Sequence, residues 1–340
     1  MRNNHKITGW TTRITTFSLL CLWASVANAD PSVTKRPLAE SGPTPVKATV
    51  LILDVDSIDS AHQNFSANVV LRLGWKDPRL ARNGGEGNAI YDLQEVWHPR
   101  VRVVNQQKAW QTFPEQVEVS PDGDVVYRQR LWGTFAQPLR LHRFPFDEHT
   151  FQIQLVATGY QPHEVNLVDD DRYVSSIVSN LSLADWTVQD WKSVTTPYSP
   201  APGYPAYTSY TFSFQAKRLI GYYLFKVILP LGLIVMMSWI VFWIDPKESG
   251  IQISVSITSM LTLIAYRFMV GTMLPRVSYL TRLDYFILAS TLLVFTSLLE
   301  VITTYTLARS DRLTLARSID RWSRLAFPLV AVVIFMASLW

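Results

Sequence analysis

The run "YYLFKVILPLGLIVMMSWIVFWI", residues 222–244, holds 23 residues with a single charge, Lys226 near its start. Buried in lipid, such a backbone can satisfy its own polar groups only as a helix, and about 20 apolar residues cross the hydrocarbon core. Lys226 can snorkel outward. Two more spans read clearly, "YFILASTLLVFTSLLEVITTYTL" (285–307) and the shorter "LAFPLVAVVIFMASLW" (325–340). Between them "ISVSITSMLTLIAYRFMVGTML" (253–274) is long enough to cross, yet carries Ser254, Ser256, Thr258, Ser259, Thr262 and Arg267. The expected membrane domain, 218–340, therefore has four helices at about 222–244, 250–273, 284–308 and 322–340.

The first half reads differently. Residues 1–29 have a positive start (Arg2, Lys6, Arg13), an apolar run from Ile14 to Val26 too short to span comfortably, and a small-residue cleavage site at Ala27-Asn28-Ala29, the pattern of a secretory signal peptide. Cys21 inside it is the only cysteine, so the mature chain is expected to have no thiol, disulfide or thiolate metal site. Residues 30–45, rich in Pro, Ser and Thr, read as a flexible leader. From 46 to 217 the segments 46–58, 65–75, 100–104, 124–132, 149–157, 186–194 and 207–218 are rich in β-branched and aromatic residues, often alternating, with turns such as Pro121-Asp122-Gly123 between them. Short antiparallel strands over that length predict an immunoglobulin-like sandwich.

Export of the β-domain and an even number of crossings place both it and the C-terminus outside. The link 308–324 is then cytoplasmic, and its Arg309, Arg312, Arg317, Arg321 and Arg324 against Asp311 and Asp320 obey the positive-inside rule. The expected location is a bacterial cell membrane.

In the polar span, Ser254, Thr258, Leu261, Ala265, Phe268 and Thr272 recur at alternating intervals of four and three, one stripe along a helix. The spacing alone fits two arrangements. One is a helix-packing seam whose hydroxyls bond back to their own backbone; the other is a water-filled lining in a ring of copies, with the apolar positions gating by dewetting. Glu248 precedes the stripe and in a ring would make a circle of carboxylates, or else is a solvated loop charge beside Lys247. Zinc-spaced histidines, a nucleophile elbow and a phosphate loop do not occur in the sequence, so an enzyme is not expected.

Several motifs then converge. Trp75-Lys76-Asp77-Pro78-Arg79-Leu80 is similar to a Trp-x-Asp-x-Arg-Leu signature, Trp97-His98-Pro99 to Trp-x-Pro, and "SITSMLTL", "LPRVSYLTRLD" and "RLAFPL" to the second helix, the following link and the start of the fourth helix in one family. The chain resembles a prokaryotic pentameric ligand-gated ion channel subunit, related to nicotinic, glycine and GABA type A receptors. "LHRFPFDEHTF" (141–151) resembles that family's signature loop, with Gln137 and Phe151 where animal receptors have cysteines.

The resemblance implies a homopentamer in membrane lipid that passes monovalent ions when a small-molecule agonist or protons act on it, with no cofactor, metal or nucleic acid. It places an agonist pocket between adjacent β-domains, at Trp97, Thr158, Tyr160, Tyr198, Tyr204 and Tyr207, with Val70 from the neighbouring subunit. Aromatic walls suit ammonium ligands, but Thr158 and Val70 stand where aromatics are usual, so the cage is incomplete. Coupling falls to Phe144, Pro145, Phe146, Asp147, Arg218 and Pro275, the apolar turn resting on the membrane helices while Asp147 pairs with Arg218. Changing Asp147 or Phe146 should then impair gating and leave ligand binding and assembly largely intact. For protons, His62, His98, His142, His149 and His163 all lie in the exported half. The Glu248 ring favours cations; Gly250-Ile251-Gln252 lacks the acid common at cation-selective entrances, so an anion channel and a non-conducting sensor remain as alternatives.

Overall fold

The computed structural model describes residues 33–82, 86–272, 274 and 276–339. The expected signal peptide at 1–29 and the coupling position Pro275 lie outside the described residues.

Period-two patterning builds the first domain. In β2 (Asn64–Lys76), Phe65, Ala67, Val69, Leu71, Leu73 and Trp75 are buried in strict alternation, which faces them all to one side of a pleated strand. With β1 (Thr44–Asp59), β3 (Ala89–Asp92), β4 (Val101–Val103), β5 (Gln106–Gln111), β6 (Gln116–Val119), β7 (Asp124–Ala136), β8 (Glu148–Ala157), β9 (Val165–Asp169), β10 (Ser176–Ile177), β11 (Trp186–Tyr198) and β12 (Tyr207–Arg218), it forms two sheets. The larger runs β10-β1-β2-β7-β6-β3, with β5 on β7 and β9 on β1; the smaller runs β11-β12-β8-β4. Between them Phe65 stacks on Phe135 at 5.3 Å, and Phe151 packs on Phe214 at 5.3 Å and edge-on to Trp186 at 5.8 Å. Each such fully buried ring contributes about 1.5–3 kcal/mol.

The sandwich departs from a purely antiparallel one. β9 and β10 both pair with β1 in parallel, reached by crossovers that strand patterning does not reveal. Gly123 at φ 82° is required in its turn, because a Cβ there would meet the Asp77 carbonyl oxygen at 2.5 Å. Residues 33–45 are not the loose leader that their composition implies. Arg36 Nη1 donates to the carbonyls of Gly42 and Glu164 at 2.8 Å each, Trp97 N donates to Val33 O at 3.0 Å, and β1 already begins at Thr44. A long-range guanidinium anchor leaves no trace in local periodicity.

Helices follow without a break in the chain. α1 (Gly221–Trp243), α2 (Ser249–Gly271) and α3 (Arg282–Arg309) are each long and apolar enough to cross a membrane. Within α1, Leu224–Ile228 form a π turn and Pro230 lies two residues beyond it. Proline has no N–H, so a carbonyl one turn earlier loses its helical partner. Tyr266 on α2 supplies one: its hydroxyl donates to Val227 O at 2.6 Å and Lys226 O at 3.2 Å. Tyr266→Phe is therefore expected to cost about 1–3 kcal/mol, the penalty for stranding a buried acceptor, read as a lower melting temperature in detergent.

α3 starts on a capping box in which Thr281 Oγ1 accepts from Asp284 N and Asp284 Oδ2 accepts from Thr281 N. α4 spans Leu313–Leu339, beginning nine residues before the expected 322. The link is a tight turn, with Asp311 at φ 57° and Arg312 N donating to Leu307 O at 3.0 Å. Hydropathy sees only the apolar half from Leu325; the basic first half is helical too.

Candidate functional site

The expected site residues fall into three groups, and the first lies where the two domains meet. The turn after β7 brings buried Phe144, joined to Pro145 by a cis peptide, edge-on to Tyr223 of α1 at 4.9 Å. Its carbonyl accepts from Leu283 N at the start of α3, 3.2 Å away. Beside it Leu141 N donates to Tyr279 Oη at 2.8 Å, and His142 stacks on the Tyr279 ring at 4.0 Å and 4°. Pro145 is buried and Phe146 half-buried. The signature loop is held here without a disulfide: Gln137 Oε1 accepts from Gln152 N at 3.2 Å, and Phe151 is a core ring.

Asp147 and Arg218 form the polar centre of this junction. Arg218 Nε and Nη2 donate to the two carboxylate oxygens at 2.8 and 3.0 Å, and Nη2 also donates to Ser60 Oγ at 2.8 Å. His149 Nε2 lies 2.8 Å from Asp147 Oδ2. The guanidinium sits over the Trp186 ring at 4.1 Å and the Phe144 ring at 4.8 Å, so the fork is both bidentate and stacked. Asp147 is 2% and Arg218 6% exposed. Burial pushes the Asp147 carboxyl up, but hydrogen bonds from His149 and Arg218 and the guanidinium charge outweigh it, holding the group below its usual range.

A folded value below the unfolded one means that the stabilisation is complete above about pH 4 and is lost as pH falls below that, through the folded value. Acid melts should show it. Wild type is expected to lose melting temperature below about pH 4 more steeply than Asp147→Asn.

The second group flanks the β11–β12 hairpin. Tyr198 and Tyr207 are directly opposite in its register, and Tyr204 projects from the tip, 64% exposed. Trp97 is 2% exposed and presents no free face to solvent. Its ring lies edge-on to Trp75 and Tyr160, and its Nε1 donates to Tyr160 Oη at 2.9 Å, so it positions the tyrosine. Thr158 lines a separate cavity of about 800 Å3, with His98, Arg102, Glu115, Tyr127 and Gln129. Burial, with the charges of Arg100 and Arg102, pushes His98 below its ordinary value, so it takes up a proton only at lower pH than a surface histidine. Val70 stands in the other sheet, opposite Leu51 and Arg130.

The third group is the α2 stripe. Ser254, Thr258, Leu261, Ala265, Phe268 and Thr272 are all exposed on the single chain, Leu261 at 61% and Phe268 at 77%. The opposite face buries Gln252, Ser256, Ser259, Leu263 and Val270. Hydroxyls bond back to the helix, Thr258 Oγ1 to Ser254 O and Thr272 Oγ1 to Met269 O, and keep lone pairs for water. Glu248 stands at the N-cap position with no side-chain cap bond and is exposed, as is Arg267.

Sequence patterning misses Tyr223, Tyr279, Trp186 and Ser60, which complete the junction. Each reads as an ordinary strand, helix or loop residue until the fold brings it to Phe144 or Arg218.

Residues 32–220 match the neurotransmitter-gated ion-channel ligand binding domain, and residues 227–312 match the neurotransmitter-gated ion-channel transmembrane region. A proton-gated ion channel of Gloeobacter violaceus is 29% identical over 297 residues, covering 86% of this chain and 82% of the relative. With a β-sandwich followed by a helical membrane region and family matches across both, the chain belongs to the neurotransmitter-gated ion-channel family.

Proposed function

We propose that five copies form a ring in a bacterial cell membrane, with the β-domains and C-termini outside, and conduct monovalent cations through a pore lined by α2. The observation that carries this reading is the sidedness of that helix. Its stripe from Ser254 to Thr272 is exposed along its whole length in one subunit, hydroxylated toward Glu248 and apolar at Leu261, Ala265 and Phe268, as a lining with a hydrophobic gate requires. Glu248 supplies the ring of negative charge for cation preference.

Opening is assigned to protons or a small agonist acting on the β-domain. The tyrosines of the hairpin offer aromatic faces for a small cation. Protons have a route of their own: the similar channel of Gloeobacter violaceus is described as proton-gated, and here His142 and His149 touch Tyr279 and Asp147 at the junction. A proton on either adds charge where the two domains meet and biases two states.

The test is current across a planar bilayer containing the purified protein, during pH steps and then with small amines. Current that reverses near the cation potential in a salt gradient, and moves toward the anion potential in Glu248→Gln, is expected. Reversal at the chloride potential in wild type contradicts cation preference; agonist binding without current favours a sensor.

A further inference from the structure

The inner half of the helical bundle holds a feature that the lining, the hairpin and the junction leave unused. Glu300 on α3 and Asp320 on α4 bring their carboxyl groups together where these helices pack. All four carboxyl oxygens are buried, and none makes a hydrogen bond of normal geometry. Asp320 is 1% exposed. Glu300 lies 18 residues along α3 from Arg282 (300 − 282), about 27 Å from the β-domain end at the helical rise.

The groups facing the pair are few: the Ser323 hydroxyl and Arg324 on α4, and Asp245 in the link between α1 and α2. The nearby guanidinium groups are already engaged. Arg324 Nε donates to Phe242 O at 2.9 Å with its guanidinium 5.7 Å from the Trp243 ring centre, and Arg317 pairs with Asp245 at 3.1 Å.

Two adjacent carboxylates stripped of water repel each other, and the Ser323 hydroxyl is one donor for four oxygens. One proton removes one charge and supplies the missing O–H. A hard divalent cation would need six or more oxygens, and no group of three or more metal-ligating side chains occurs among the described residues.

We infer that Glu300 and Asp320 form a proton-binding site that ties the inner half of α4 to α3, at the end of the bundle remote from the β-domain. The proton comes from, and returns to, water on that side. Removing it sets two anions face to face across the helix contact and loosens α4. The site stands whether or not the β-domain itself answers to protons.

Infrared spectra of the full-length protein in liposomes at neutral pH test this directly. Wild type is expected to show the carbonyl stretch of a protonated carboxyl, shifted in deuterated water, lost at alkaline pH and lost in both Glu300→Gln and Asp320→Asn. A spectrum without that band, or one unchanged in both variants, overturns the site. Melting temperature gives a second readout: wild type should fall as pH rises above about 5, where unfolded carboxyls have already ionised, until the shared proton leaves, and Glu300→Gln/Asp320→Asn should stay flat. An equal fall in both, or stabilisation by sodium or calcium in place of the protonated band, also overturns it. Should the amide variants not fold, loss of the wild-type band at alkaline pH still decides.

Discussion

Asp147→Ala is expected to destabilise the subunit by roughly 3–5 kcal/mol, the range for removing one partner of a buried ion pair. The reason lies in what remains. Arg218, 6% exposed, would keep its charge among Trp186, Phe144 and Tyr223 after losing both carboxylate oxygens, with Ser60 Oγ retained as an acceptor. His149 loses its partner in the same step. Pentamer yield on size exclusion and the melting temperature should both drop, and Asp147→Ala/Arg218→Met should recover part of the loss by removing the stranded charge. An equal loss in the single and double variants would show that the pair is not the cause.

This alters the expectation drawn from the sequence. There Asp147 and Phe146 are equivalent handles on gating that leave assembly largely intact. The structure separates them: Asp147 is 2% exposed and holds two side chains, whereas Phe146 is half-buried and has a backbone hydrogen bond from its N–H to Arg143 O. Phe146→Ala is the cleaner probe of coupling. It should leave pentamer yield near wild type while shifting the agonist or proton response.

The second large effect belongs to the membrane. Leu261→Thr is expected to raise current in the absence of agonist by about tenfold or more, equivalent to roughly 1.4 kcal/mol of bias toward the conducting state. Leu261 lies midway along the exposed stripe, and a hydroxyl ring there would hold the water that an apolar ring expels. Stability should hardly change, since the side chain is 61% exposed in the subunit. Resting current equal to wild type, with normal assembly, would place the gate elsewhere.

Much of the architecture is written in local pattern. The apolar run at 222–244 is legible by length and composition and the alternation at 65–75 by its period of two, and they become α1 and β2 almost residue for residue. The pairing of Asp147 with Arg218 is likewise readable once the loop and the end of the last strand are recognised. Arg36 reaching Glu164, Tyr266 capping the carbonyls freed near Pro230, and Asp320 meeting Glu300 are not. Each joins residues far apart in sequence whose types give no periodic signal. Trp97 shows the opposite limit: a motif singles it out as a pocket residue, but only packing reveals that its face is spent on Trp75 and Tyr160.

Cysteine modification of α2 tests the central claim most directly. The only native cysteine is Cys21, so single cysteines can be read one at a time once it is replaced by serine. A small cationic thiol reagent applied to open channels should block current at cysteines in place of Ser254, Thr258, Leu261, Ala265, Phe268 and Thr272, and spare those in place of Ser256, Ser259 and Leu263, which face the bundle. Block that follows this stripe is the predicted result; current unaffected at all six stripe positions, or lost at the buried ones instead, would contradict an α2-lined pore.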